Sequence, residues 1–143
     1  MSRPTRLGVV AVLTGVAMVV PLAPAHAAPV ATTLSGAAEV PGPGDPDGTG
    51  TFTGKIKPGR GLLCYTLTVS DIAPATAAHV HVGTADVAGP VVIGLTAPTA
   101  GSSSACVTAD RELLKAIASD PEAYYVNVHN ADYPAGAVRG QLG

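Results

Sequence analysis

Apolar and polar positions alternate along much of the chain. In residues 49–57, Phe52 and Ile56 fall on one face and threonines and lysines on the other, and residues 61–70 repeat the pattern with leucine, tyrosine and valine. A period of two with β-branched and aromatic residues predicts half-buried strands. The Pro/Gly-rich residues 57–61 supply turn chemistry between them, so the two segments predict a hairpin.

The same patterning recurs to the end of the chain. Six further strands are predicted at residues 32–38, 77–82, 90–96, 103–108, 124–129 and 137–142, separated by segments rich in Gly, Pro, Asn and Asp. Short strands at this spacing predict an all-β fold, an antiparallel, Greek-key-like β-sandwich of about eight strands. The Ala/Pro/Gly-rich residues 28–48 suggest a loosely held lead-in.

One segment departs from this alternation. Residues 110–118 contain helix formers, with apolar side chains at 113, 114 and 117. They predict a short helix that Thr108 or Asp110 caps and that Asp120-Pro121 ends.

The N-terminal segment has the parts of an export signal. Arg3 and Arg6 precede an apolar run over residues 7–20, and the small-residue triplet Ala25-His26-Ala27 follows. This order is typical of a cleavable signal peptide, with cleavage after Ala27, and the apolar run is shorter than the ~20 residues that span a bilayer. A retained signal anchor is the alternative. We expect residues 1–27 to be removed, leaving one secreted extracellular domain, 28–143, with no membrane attachment.

The charge of that domain excludes one class of partner. Residues 28–143 carry six Lys and Arg against ten Asp and Glu, a formal charge of −4. No basic run is present that would follow a phosphate backbone, so we expect no binding to nucleic acid.

The cysteines fit an oxidising compartment. Cys64 and Cys106, both in predicted strands, are the only two in the chain. An even number of cysteines in an exported domain predicts a disulfide. The alternative is a catalytic or redox pair, which would call for a C-x-x-C motif or a thiol beside a base, and neither pattern is present.

Three histidines of the predicted domain carry the most suggestive chemistry. His79 and His81 are two residues apart, so their side chains leave the same face of a strand, with Val80 and Val82 on the core face. His129 has the corresponding outward position on the strand 124–129. If the two strands are neighbours, the three rings converge.

Convergent imidazoles are candidate ligands for copper, zinc or nickel. The competing interpretation is that each ring hydrogen-bonds a backbone carbonyl of a loop crossing the sheet.

Two weaker hypotheses concern other charged residues. Asp45 and Asp47 are spaced loosely like a calcium loop that lacks its later ligands, and Glu39 and Arg139 are candidates for an ion pair between strands.

Five segments, in this order, resemble the CHRD domain first described in chordin and found in many exported bacterial proteins: residues 34–41, 77–83, 89–92, 125–129 and 134–142. The sequence departs from the family pattern at Ala38, where Gln is usual, and in residues 82–86, a loop usually richer in Gly and Pro. The resemblance implies an extracellular β-rich domain with no accepted catalytic activity. Its partner is an unknown extracellular protein or ligand.

The histidine pattern is also similar to that of the copper,zinc superoxide dismutases, which take copper ligands from an H-x-H strand and a later strand. His79, His81 and His129 match in order, but no bridging fourth histidine and no zinc loop are present, and only Arg139 is available as an anion-steering arginine. The sequence thus favours a secreted non-enzymatic binding module. The alternative is a copper- or zinc-binding domain, conceivably with superoxide dismutase-like chemistry.

Overall fold

A computed structural model describes residues 27–143. The predicted signal peptide therefore lies, except for its last residue, outside the described residues. The elements of the described part are β1 (Ala28–Ser35), β2 (Thr49–Lys57), β3 (Leu62–Ser70), β4 (Ala75–Val82), β5 (Val91–Leu95), β6 (Ser102–Thr108), α1 (Arg111–Ser119), β7 (Tyr124–Asn130) and β8 (Val138–Gln141), with single 3-10 turns at 36–38, 58–60 and 121–123.

The eight strands form one antiparallel sheet in the order β5-β4-β7-β8-β1-β2-β3-β6. Between β1 and β8 the paired register is a single position, Ser35 opposite Arg139. The sheet curls until its two ends meet, where Ser103 Oγ donates to the Thr96 carbonyl at 2.8 Å and Thr96 N–H donates to the Tyr65 hydroxyl at 2.7 Å. The prediction of an all-β fold of about eight strands with one short helix is confirmed.

The core lies inside the curled sheet. Apolar side chains of β2 and β3 alternate as the pattern predicts, and the valines of β7 complete the core from the other half: Phe52, Ile56, Leu63, Tyr65, Leu67, Val69, Val126 and Val128 are all buried. Helix α1 adds Leu114 and Ile117. The Asp110 side chain caps this helix by accepting from the N–H groups of Glu112 and Leu113, both at 2.9 Å.

Two expectations about the strands were wrong in detail. Residues 28–35 are not a loose lead-in, because β1 pairs with β2 over its whole length and buries Val30 and Leu34. Val82 does not join Val80 in the core. The pairing of β4 with β5 shifts register between Val80 and His81, and Val82 is 36% exposed. The extra residue at this shift is Val92 of β5. Strand β4 keeps its regular register with β7 through Val82, so Val82 stays on the face of Val80 but lies exposed at the end of the strand.

Cys64 and Cys106 form the predicted disulfide. They lie directly opposite each other in β3 and β6, with Cα atoms 3.9 Å apart. No residue of β6 is fully buried, so this edge strand depends on its hydrogen bonds to β3 and on the covalent bridge. Among residues 27–143 no helix is both long and apolar enough to cross a membrane.

We expect removal of the bridge to cost much of the domain's stability. The disulfide closes a loop of 42 residues, and the loop entropy of the unfolded chain predicts a loss of about 4 kcal/mol in the double variant Cys64→Ser, Cys106→Ser. Urea denaturation measures it.

A matched control is the pair Thr66→Ala, Ser104→Ala. These hydroxyls hydrogen-bond at 2.9 Å between the same two strands, and such a cross-strand pair contributes less than about 1 kcal/mol. If the cysteine variant were no less stable than this control, the stabilising role of the bridge would be refuted.

Candidate functional site

The pairing of β4 with β7 brings the three histidines to one face of the sheet. His79 lies opposite Asn127, and His129 lies opposite Ala77. His79 and His129 are therefore diagonal neighbours, a relation in which long side chains reach each other. His81 is on the same side of β4, opposite Tyr125. The predicted juxtaposition follows directly from this register.

The three rings converge. One ligand nitrogen from each of His79, His81 and His129 lies within 4.8 Å of the others. The shortest approach joins Nδ1 of His79 to Nε2 of His129 at 3.1 Å. The ring centroids of these two histidines are 5.0 Å apart, and those of His79 and His81 are 5.6 Å apart. These residues are named below as the histidine cluster.

Backbone carbonyls fix two of the rings from outside. Nδ1 of His81 lies 2.8 Å from the Gly89 oxygen, and Nδ1 of His129 lies 3.0 Å from the Pro134 oxygen. A carbonyl only accepts hydrogen bonds, so both Nδ1 atoms carry protons. In the neutral rings Nε2 then holds the lone pair. For His129 this pair is directed at His79, which donates from Nδ1.

An amide also holds the His81 ring. Nε2 of His81 is 2.9 Å from the amide oxygen, Oδ1, of Asn127 as the side chain is placed. Since Nδ1 of the neutral ring already donates to Gly89, Nε2 needs a donor, which the NH₂ end of the Asn127 amide supplies when it faces the ring. Both residues are buried, His81 at 7% and Asn127 at 3% exposure. His81 is thus the most constrained member of the cluster.

The environment favours neutral imidazoles. Burial lowers the pKa of His79 below its usual value, and the neighbouring His129 and His81 lower it further. Burial likewise lowers the pKa of His129, and the bond to Pro134 opposes that change in part. Mutual repulsion of imidazolium charges and loss of water act in the same direction. His79 and His129 are therefore neutral around neutral pH, and each has one ring nitrogen without a proton.

A loop covers the outer face beside the cluster. The β4–β5 loop, residues 83–90, is held by Arg139, whose guanidinium donates to the carbonyls of Thr84 at 2.8 Å and Val87 at 3.0 Å. The guanidinium carbon lies 3.4 Å from the centre of the Tyr125 ring. That ring in turn stacks on His81, with centroids 4.7 Å apart. The Tyr125 ring is therefore stacked between the Arg139 guanidinium and the His81 ring.

The expected ion pair between Glu39 and Arg139 is absent. Among the described residues the salt bridge within 4.0 Å joins Lys115 to Glu112 instead. Arg139 turns to the loop carbonyls, and Glu39, only 7% exposed, keeps its Oε1 without a hydrogen-bond partner. Burial raises the pKa of Glu39 to about 7, although Arg139 and the Val40 N–H act in the opposite direction.

Sequence reasoning placed the three histidines on one face, and its competing interpretation, rings bonded to carbonyls of crossing loops, describes His81 and His129; it did not identify the particular residues that hold the rings. Tyr125 and Asn127 share the outward face with His129 in the period-two pattern, so that pattern could have indicated them. The carbonyls of Gly89 and Pro134 have no sequence signature. Asp45, the calcium candidate, accepts the N–H of Asp47 at 3.3 Å in a local turn.

The fold and this face define an all-β module with a histidine cluster and no recognised catalytic motif in residues 27–143. A family model described as the CHRD domain matches residues 30–142, and the chain belongs to this family. No curated protein and no solved structure matches the chain.

The burial of Glu39 predicts that the stability of the domain depends on pH. Because its pKa rises from 4.5 to about 7 on folding, the folded state holds a proton that the unfolded state releases, so stability falls as the pH rises through this window. After allowance for solvent around the carboxyl, the loss is about 1–3 kcal/mol. Glu39→Gln should remove it, so the change in the free energy of unfolding from pH 5 to pH 8, measured by urea denaturation, should be more positive than in the wild type by this amount.

The control is Glu122→Gln, at an exposed carboxyl, which should leave the pH dependence as in the wild type. An unchanged pH dependence in Glu39→Gln would contradict the burial argument.

Proposed function

We propose that this chain is an exported, non-enzymatic CHRD binding module whose histidine cluster takes up one transition metal ion, copper or zinc. The observation that carries the proposal is the placement of ring nitrogens. Nε2 of His129 faces Nδ1 of His79 at 3.1 Å. Two nitrogens bound to one ion at 2.0–2.1 Å in tetrahedral geometry are about 3.3 Å apart. An ion between these two rings thus requires little change in the distance between the two nitrogens, although the rings must turn to direct both nitrogens at it.

The backbone contacts of the cluster also favour this function. Metal-binding histidines usually donate their second ring nitrogen to a carbonyl or carboxylate, which fixes the tautomer and the ring orientation. His81 and His129 have this arrangement with Gly89 and Pro134. The same carbonyl bonds are also expected if the histidines have a purely structural role. That role also accounts for the third ring, because Nδ1 of His79 donates to Nε2 of His129. Metal binding is favoured by the convergence of one nitrogen from each of the three rings within 4.8 Å.

The distance between His81 and the other two rings must shorten for one ion to bind all three. Nitrogens bound to a common ion are at most about 4 Å apart, whereas the widest separation here lies within 4.8 Å. His81 is held at both ring nitrogens, so a shift of about 1 Å by His79, which is held at one ring nitrogen by His129, closes most of this difference. His79 and His129 then provide the initial pair, and His81 completes a three-nitrogen site with a position left for water or an exogenous ligand.

Access to the ion is open on one side. Gly94 lies opposite His79 on the edge strand β5, and a Cβ atom placed there would meet nothing within 4 Å. His79 and His129 are themselves half-exposed. A hydrated ion therefore has a path to the cluster without any loop opening.

Superoxide dismutase-like chemistry is not part of the proposal. An anion-steering arginine must present its guanidinium to solvent beside the metal. Arg139 is 1% exposed, and its N–H groups serve the carbonyls of Thr84 and Val87. Metal binding is the function that the cluster supports on its own.

The test is calorimetric titration of the protein, first stripped with a chelator, with Zn²⁺ and separately with Cu²⁺. We expect one ion per chain, with the proton on Nδ1 of His79 moving to Nε2 of the same ring, so that binding near pH 7 releases no proton and weakens only when acid protonates the rings. His79→Ala and His129→Ala should each weaken binding by about 10-fold or more, on the scale that perturbed metal sites show.

Lys115→Ala, an exposed change on helix α1, serves as the control and should bind as the wild type does. Circular dichroism of each variant without metal checks that the fold is retained. Sub-stoichiometric uptake by the wild type, or wild-type affinity in the double variant His79→Ala, His129→Ala, would refute metal binding.

Export rests on the signal pattern and is compatible with the disulfide. We expect the protein recovered outside the producing cells to begin at Ala28, because the A-x-A site ends at Ala27. Intact-mass measurement decides this, and Ala27→Arg should block the cleavage. A recovered protein that retains residues 1–27 would contradict the signal-peptide interpretation.

A further inference from the structure

A second cleft lies away from the donor atoms of the histidine cluster. Two segments form its walls, residues 40–43 after β1 and residues 132–136 between β7 and β8, and its volume is about 210 Å³. Glu39 lines it. This volume is below the roughly 300–1,000 Å³ of sites that enclose whole drug-sized ligands, so the cleft suits one group of side-chain size.

Glu39 is an unusual group to find here. Its side chain is more than nine-tenths buried, and Oε1 has no hydrogen-bond partner. Buried polar atoms are almost always hydrogen-bonded, and an exception calls for a reason. The carboxyl group lies so close to Gly136 that a Cβ atom there would be 2.4 Å from both of its oxygens. A glycine at 136 thus leaves the room that the carboxyl occupies.

The local charges favour a positive ligand. Glu39 and Asp132 both line the cleft, and Arg139 is the cation whose charge acts on Glu39. The Arg139 guanidinium is 1% exposed, and its donors are directed at the carbonyls of Thr84 and Val87. It therefore offsets part of the negative potential without supplying Glu39 with a hydrogen bond. When both carboxyls are ionised, one negative charge remains for an external cation.

The side chains that line the cleft determine which kind of cation fits it. Pro41, Pro43, Tyr133 and Pro134 line the cleft, so most of its surface is apolar or aromatic. Calcium requires six to eight oxygen ligands, which two carboxyls and these walls do not offer. An alkylammonium fits better, because its methylene chain packs on proline and tyrosine while its head reaches a carboxylate.

We propose that this cleft binds a primary alkylammonium group, with Glu39 as its counter-ion and the prolines and Tyr133 against its methylene chain. The group belongs either to a small amine or to a lysine side chain. Oε1 is closed to solvent in the free protein, so binding requires a small movement of the carboxyl towards the cleft and then gives this atom the partner that it lacks. This proposal does not depend on the histidine cluster.

The experiment is a titration of the purified protein followed by NMR, with chelator present so that the histidine cluster is empty. The probes are n-butylammonium and Nα-acetyl-lysine methylamide, and n-butanol is the uncharged analogue. We expect both cations to shift the amide signals of Tyr133 and Gly136 saturably, and n-butanol to shift neither. Tighter binding of the lysine derivative indicates a protein partner, whereas tighter binding of butylammonium indicates a small amine.

Two variants distinguish a specific counter-ion from general negative charge. Glu39→Gln keeps the size of the side chain and should weaken both cations by about 10-fold or more, as expected for loss of a charge-assisted bond. Asp132→Asn, at an exposed carboxyl, should weaken them less than about 3-fold. Equal affinity in Glu39→Gln and wild type, equal loss in both variants, or no saturable shift with either cation would overturn the proposal.

Discussion

The buried guanidinium of Arg139 organises the outer face of the sheet. Its two terminal nitrogens bind the carbonyls of Thr84 and Val87, and its flat face covers Tyr125. A charged group this deep in the protein is tolerated only when its donors are satisfied, so the β4–β5 loop cannot leave without a large cost. The loop in turn presents the Gly89 carbonyl to His81. The orientation of the least mobile histidine thus depends on an arginine that it does not touch.

The histidine cluster is consequently arranged before any ligand arrives. Rings that are free to rotate lose entropy on binding, and rings already fixed by carbonyl bonds lose less. His81 and His129 are fixed by different loops, the β4–β5 loop and the β7–β8 loop (residues 131–137), while His79 is held mainly by its contact with His129. One member of the cluster therefore remains adjustable, in keeping with a site that is open on the Gly94 side.

The sequence indicates the strands, the helix, the disulfide and the three histidines because each has a local signature. Alternation in residues 61–70 and the capped run after Asp110 are independent of distant contacts. The exposure of Val82 at the end of β4 and the pairing of residues 28–35 are not, since both result from the way one strand meets another. The partners of Arg139 also could not be predicted from the sequence. Its charge suggested Glu39 as a partner, but backbone carbonyl oxygens accept equally well from a guanidinium. Which oxygens it binds depends on the position of the folded β4–β5 loop.

The β7–β8 loop connects the two proposed sites physically. At one point its Pro134 carbonyl holds His129, and two residues later Gly136 lies against the carboxyl of Glu39. Internal hydrogen bonds make this segment stiff, because Asn130 Oδ1 accepts from Tyr133 N–H at 2.8 Å and Gly136 N–H donates to the Tyr133 carbonyl at 3.1 Å. A ligand that moves Glu39 must act on the same short loop that orients His129. Any energetic coupling between the two sites would be reciprocal, so an ion at the histidine cluster would change the affinity of the cleft by the same factor.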